Sequence, residues 1–225
     1  MDSIKNQIVE KYKNGEKMLI SDLRAITGLL RAPDGCPWDR EQTHESIRGN
    51  FIEETYEVVE AIDTSDTELL EEELGDVLLQ VVFHACIEEE KGGFDFDDVT
   101  DGICRKLILR HPHVFGDVNA DTTEQVLLNW DKIKQRSKRQ TTVTETLRSV
   151  AKSLPALMRA EKLIGRAAKA GYLDVAVPQN GSSLGERMLG LVLEAKTAGI
   201  DAEQELYKEC DELISRVEIA ERSKS

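Results

Sequence analysis

Two short runs of acidic residues recur at the spacing of one helical turn: Glu53-Glu54-Thr55-Tyr56-Glu57 and Glu73-Leu74-Gly75-Asp76. Residues three apart on a helix share a face, so Glu54 and Glu57 point the same way, as do Glu73 and Asp76. The polar break Asp63-Thr64-Ser65-Asp66 lies between the two runs. A helical hairpin centred on Ser65 sets Glu54 opposite Asp76 and Glu57 opposite Glu73, because each pair is symmetric about residue 65. Four carboxylates meeting on one patch repel one another severely unless a cation neutralises them. Hard oxygen ligands suit Mg²⁺, or Mn²⁺ as a substitute, and not zinc. Magnesium keeps waters and recruits substrate phosphates, so this chemistry is built for a di- or triphosphate. Exposed helix faces are also commonly acidic, and Glu71 and Glu72 read as such surface charges. Spacing alone leaves the metal site and a solvated acidic face about equally open.

The elements that must position these groups are helical nearly throughout, with no convincing run of strand alternation. Apolar spacing predicts helices over about Glu16–Arg31, Thr43–Ile62, Thr67–Lys91, Asp98–Arg110 and Thr123–Lys138. Thr43 is the expected N-cap of the second, and Asp95 to Asp98 offer caps for the fourth. Ile52, Tyr56, Val59 and Ile62 are expected to face Leu70, Leu74, Val77, Leu78 and Val81 across the hairpin, with the carboxylates at the margin. Cys36-Pro37-Trp38-Asp39 reads as a structural corner closing one side of the site, with Trp38 filling a core. The Thr-rich stretch from Gln140 to Thr146 reads as a linker. Beyond it, helices are expected over Leu154–Ala170, Leu184–Ala198 and Asp201–Glu221, with a loop from Asp174 to Ser183 around Pro178, Asn180 and Gly181. The expected organisation is thus two related helical units, residues 1–140 and 147–225.

The 225 residues carry a net charge of -14, which argues against non-specific binding to a nucleic-acid backbone. No apolar run approaches membrane-spanning length and the N-terminus is polar, so neither a membrane nor a secretory location is expected. Cys36, Cys86, Cys104 and Cys210 form no C-x-x-C pair and fit reduced thiols in a cytoplasmic protein. An acidic quartet that binds a triphosphate also needs cations nearby. Lys106 and Arg110 share a helical face, and Trp130 and Lys134 have the same spacing. On spacing alone these read as a solvated cation pair and a core tryptophan. His111-Pro112-His113 reads first as a helix stop, since no third metal ligand accompanies it. His84 shares a face with Glu73 and Gln80 and either lines the cleft or packs.

Taken in order, Gly35-Cys36-Pro37-Trp38-Asp39, the two acidic runs and Arg110-His111-Pro112-His113-Val114-Phe115 resemble the MazG family of all-α NTP pyrophosphatases. The resemblance is strong over about Leu19 to Lys134. It implies an all-α helical bundle and hydrolysis of a nucleoside triphosphate, ribo- or deoxyribo-, to monophosphate and pyrophosphate, as in nucleotide-pool house-cleaning. It implies Mg²⁺ ligands at Glu54, Glu57, Glu73 and Asp76, with Glu53 and Glu57 in catalysis, Glu53 orienting or deprotonating the attacking water. It implies phosphate contacts from Lys106 and Arg110, contacts to base or sugar from Trp130 and Lys134, and a homodimer.

The tail resembles a second, degenerate copy from Ser153-Leu154-Pro155-Ala156-Leu157-Met158-Arg159-Ala160 onward. There Ser183-Leu184-Gly185-Glu186 stands where the E-L-G-D segment falls, and Glu212 stands where a lysine is expected, although Arg216 is present. The E-E-x-x-E helix is missing. This unit is expected to be structural, because a site without its ligands does not place Mg²⁺. Two competing readings remain at this stage: a helical protein that senses nucleotide or binds a partner without hydrolysis, and a purely structural bundle.

Overall fold

The computed structural model describes residues 2–137, 140–177 and 183–223. All of its regular structure is helical among the described residues: α1 (Asp2–Lys13), α2 (Ile20–Arg31), α3 (Pro37–Glu41), α4 (Arg48–Thr64), α5 (Thr67–Glu90), α6 (Phe96–Arg110), α7 (Pro112–Phe115), α8 (Thr123–Ser137), α9 (Val143–Arg148), α10 (Ala156–Lys169), α11 (Leu173–Ala176), α12 (Leu184–Thr197) and α13 (Ala202–Arg222). The chain divides into two compact units, Met1–Leu109 and Arg110–Ser225.

In the first unit α4 and α5 form the expected antiparallel hairpin, the most extensive helix pair of the chain. Its turn is tight because Ser65 takes the left-handed conformation, φ 57°, and ends α4. The Asp66 carboxylate then accepts from the backbone N–H of Glu68 and Leu69, both at 3.1 Å, and starts α5. Ile47, Phe83 and Ile87 form a small apolar core against Leu79. Beside it Arg31, buried at the end of α2, chelates Glu90 of α5 through Nε (2.6 Å) and Nη2 (2.8 Å). Its Nη1 donates to the carbonyls of Asp39 (2.6 Å) and Gln42 (3.1 Å), and its guanidinium lies 5.1 Å from the Phe83 ring centre. One side chain thereby joins α2, the segment around α3 and the end of α5.

In the second unit α10 is the hub. It packs on α9, α11, α12 and α13, and Ala160, Ile164, Val177 and Val192 make an apolar cluster.

Several expectations need correction. The N-terminal α1 was not legible as a helix, and α2 begins at Ile20 and not near Glu16. Thr43 does not cap α4, which starts five residues later at Arg48. Instead Thr43 and Ser46 bond to each other through Oγ and backbone N–H, closing a turn that competes with the helix. Trp38 is 61% exposed on α3 and fills no core. The Thr-rich stretch contains α9, opened by a capping box in which Thr142 Oγ1 accepts from Glu145 N and the Glu145 carboxylate accepts from Thr142 N. The expected loop from Asp174 begins inside α11, while Pro178, Asn180 and Gly181 lie outside the described residues, as does Lys138.

The corner at Gly35 has a steric cause. A Cβ there would sit 2.3 Å from the Leu29 carbonyl oxygen and 2.4 Å from that of Leu30, so only glycine lets the chain cross the end of α2. The close crossing lets Cys36 N donate to the Leu30 carbonyl at 2.7 Å and sets the start of α3.

Candidate active site

Glu54 and Glu57, one turn apart on α4, meet Glu73 of α5 across the hairpin. Each offers a carboxylate oxygen, and the three oxygens lie within 4.8 Å of one another. Glu73 is 8% exposed, a buried acid with no basic ion-pair partner among the described residues. Glu57 contacts both of the others, as a register centred on Ser65 requires for the Glu57–Glu73 pair. Asp76 stands outside the tight trio but near enough for its charge to act on Glu54 and Glu73.

The electrostatics follow from this crowding. Loss of hydration raises the Glu54 carboxyl to about 6, helped by a hydrogen bond with Glu57 and the charges of Asp76, Glu57 and Glu73. Glu73 is raised for the same first reason, with Glu57 and Asp76 as the next causes. Like charges at this distance do not all ionise unaided, and a hard cation relieves them. The fit is geometric as well. Three carboxylate oxygens within 4.8 Å of one another are near enough to share one hard cation with bonds of about 2.1 Å.

The carboxylates lie where α4 and α5 face each other, whereas much of the apolar arc expected there is exposed, with Leu70, Val77 and Val81 half-buried. Ile52 is 51% exposed, Ile62 56% and Leu74 51%, and Tyr56, Val59 and Leu78 are exposed too. Ala61 is the one buried residue of α4.

Glu53 is exposed on α4 beside the trio in sequence. Lys106 is exposed on α6, one turn before Arg110. In the second unit Arg110 and Trp130 come together, the guanidinium carbon 5.1 Å from the ring centre, and His111 meets the same ring edge-on at 4.9 Å. Arg110 Nε is buried without a hydrogen-bond partner. Lys134 lines a cavity elsewhere in that unit, bounded by α8, α9, α10 and α12. His111 and His113 adjoin, 5.6 Å between ring centres, but no third ligand joins them among the described residues.

Sequence reasoning missed a polar chain on α5. His84 Nδ1 and His44 Nδ1 are 2.7 Å apart, and His44 Nε2 lies 2.6 Å from Glu88 Oε1. Burial, and then the neighbouring His44, lower the His84 imidazole, while hydrogen bonds from His44 and Lys91 lower Glu88. The i, i+4 spacing of His84 and Glu88 is visible in the sequence, but His44 reads there as the first turn of the expected Thr43–Ile62 helix, whereas α4 starts only at Arg48.

A family model described as the MazG nucleotide pyrophosphohydrolase domain matches residues 42–115. Over 196 residues the chain is 40% identical to a nucleoside triphosphate pyrophosphohydrolase of Escherichia coli, covering 87% of this chain and 74% of that protein. The chain belongs to the MazG family. It is also 43% identical over 155 residues to a nucleoside triphosphate pyrophosphohydrolase/pyrophosphatase MazG of Thermotoga maritima, 69% of this chain and 59% of that one. The uncharacterized protein YabN of Bacillus subtilis is 52% identical over 151 residues, but the match spans only 31% of its length.

The MazG match encloses the acidic quartet, Lys106, Arg110 and the His111-Pro112-His113 turn, and stops before Trp130 and Lys134. In the tail, Ser183-Leu184-Gly185-Glu186 does a different job from E-L-G-D. Ser183 caps α12, its Oγ accepting from Glu186 N at 3.1 Å while the Glu186 carboxylate accepts from Ser183 N at 3.0 Å. Arg216 is held by Glu209 (3.1 Å) and Glu212 (3.4 Å) of its own helix.

Proposed function

We propose that this MazG chain hydrolyses nucleoside triphosphates between the α and β phosphates, giving a monophosphate and pyrophosphate. The observation that carries the reading is the convergence of Glu54, Glu57 and Glu73 within 4.8 Å, in the stretch the MazG model matches. Relatives named for this activity support it. Glu54, Glu57, Glu73 and Asp76 would hold Mg²⁺, with Mn²⁺ able to substitute. The metal, when bound, would polarise the phosphates and offset their charge.

The chain's own contribution is positioning. The hairpin turn at Ser65 sets the ligand register, and burial of Glu73 keeps water from screening it. Glu53 would orient the attacking water and accept its proton, with Glu57 as the second residue of catalysis. Lys106 and Arg110 would bind the phosphates and stabilise charge on the leaving pyrophosphate, and Trp130 and Lys134 would contact base or sugar. Both ribo- and deoxyribonucleotides are within the proposed range, in keeping with a house-cleaning role.

The exposed apolar faces of α4 and α5 support a homodimer, since a stripe of this size is usually covered. No described helix is long and apolar enough to cross a membrane, which agrees with a cytoplasmic enzyme. Four unpaired cysteines agree as well. The tail, whose E-L-G-D counterpart is a capping box, would be structural.

Incubation with each ribo- and deoxyribonucleoside triphosphate plus Mg²⁺, with quantitation of monophosphate, pyrophosphate and orthophosphate, tests the proposal. Monophosphate and pyrophosphate in equal amounts, lost in Glu57→Gln, is the expected result. Orthophosphate release, or nucleotide binding with no turnover, would refute it, the latter in favour of a sensor.

A further inference from the structure

The second unit contains a cavity of about 500 Å³ whose lining is positive in a chain of net charge -14. Five cations border it: Lys134, Lys162, Arg166, Lys169 and Lys196. The acids among its lining residues, Asp131 and Glu161, are engaged by Lys169 and Lys196, each pair at 2.7 Å. These contacts draw the two lysines to the cavity from α10 and α12 and leave the charges of Lys162 and Arg166 unmatched by those acids.

Two of those cations are open to a ligand. Arg166 is oriented by neutral groups only, Nη1 donating to the Thr146 carbonyl and to Ser149 Oγ, the latter at 2.8 Å. Its Nε and Nη2 carry no bond among the described residues, so a fork of donors remains. Lys162, one turn before Arg166 on α10, has no carboxylate partner among the described residues. Gly165 lies between them. A Cβ there would stand 3.0 Å from Lys196 Cε, so its absence lets that lysine lie across α10. No aromatic side chain lines the cavity, which removes a platform for a base.

The geometry points to a metal-independent site in this unit for a phosphoanhydride group, the pyrophosphate ion itself or the phosphate tail of a nucleotide. Lys162 and Arg166 supply the uncompensated charges, and Lys169 and Lys196 turn from their carboxylates to the anion. The site stands on the charges of the second unit and does not depend on hydrolysis at the hairpin.

Equilibrium dialysis of the full chain against inorganic pyrophosphate in metal-free buffer tests it. Pyrophosphate is retained, less so as salt rises, and Lys162→Gln weakens retention about tenfold, the loss of one charge-assisted hydrogen bond. Lys162 is exposed, so an unchanged melting temperature accompanies the variant. Glu57→Gln binds as the wild type does. ATP in the same buffer separates the sources: weaker retention than pyrophosphate assigns the site to the free ion, and equal retention to the nucleotide tail. Failure to retain pyrophosphate would overturn the site. So would retention unaltered by Lys162→Gln combined with Lys169→Gln, or retention lost in Glu57→Gln.

Discussion

Glu73-Leu74-Gly75-Asp76 and Ser183-Leu184-Gly185-Glu186 share a skeleton and have opposite fates. The first lies inside a 24-residue helix, where Glu73 is buried against Glu57 of the partner helix. The second opens a 14-residue helix, where Ser183 and Glu186 satisfy each other's backbone N–H groups. An acid in mid-helix has no orphan donors to serve and is available to a ligand. An acid in the first turn is consumed by the helix end. The cores differ accordingly. The tail is held by aliphatic contacts around Ile164 and Val192, whereas the hairpin places repelling carboxylates where its helices meet and so gives up stability for a site.

The comparison can be broken most severely by exchanging which acid is neutralised. Glu57→Gln is expected to lower Mg²⁺-dependent turnover by at least about 100-fold, while Glu186→Gln leaves it within about twofold, measured as pyrophosphate release at saturating nucleotide. Equal losses in both variants would erase the distinction between site and cap. Next in size is the tail's core: Ile164→Ala truncates a buried side chain and should cost about 2–5 kcal/mol in chemical unfolding. The turnover of the folded fraction should not change; a loss would show that the tail contributes to the site. Ser183→Ala should cost about 1 kcal/mol through the lost cap, read as a lower melting temperature with activity retained.

The smallest effect concerns pH. Glu54 has a folded-state pKa raised to about 6, so its contribution to stability is complete below the unfolded value and is lost as pH rises through about 6. In metal-free buffer Glu54→Gln should therefore be more stable than wild type near about pH 7, and the gap should narrow toward about pH 5. His84, lowered by burial, works in the opposite direction across the same window, but it is common to both proteins and cancels in the difference. Added Mg²⁺ should close the gap at the higher pH by stabilising only the wild type. A gap that widens on acidification would mean the carboxylates do not crowd as described.

Much of this was legible because helix signals are local. Asp66, Gly92 and the His111-Pro112 stop delimit α5 and α6 within a residue or two of their expected bounds. The T-x-x-E sequence at Thr142 to Glu145 was equally local, and composition alone concealed α9 behind a Thr-rich stretch. Arg31 was not legible. A basic residue in the last turn of a helix is ordinary, and its partner Glu90 is distant in sequence.

By itself the sequence determined that the chain is helical, that Glu54 and Glu57 share a face as Glu73 and Asp76 do, and that a turn at Ser65 brings Glu57 to Glu73. Periodicity and turn chemistry suffice for those statements. Only the tertiary structure decided which side of the hairpin is inside. α5 carries apolar residues nearly all round, Leu69, Leu70, Leu74, Val77, Leu78, Val81 and Val82 among them, so its periodicity selects no face. The choice fell to non-local contacts, Ile47 against Phe83 and Ile87 and the Arg31 anchor on α2, which turn α5 so that Glu73 meets α4 and Leu74 looks outward.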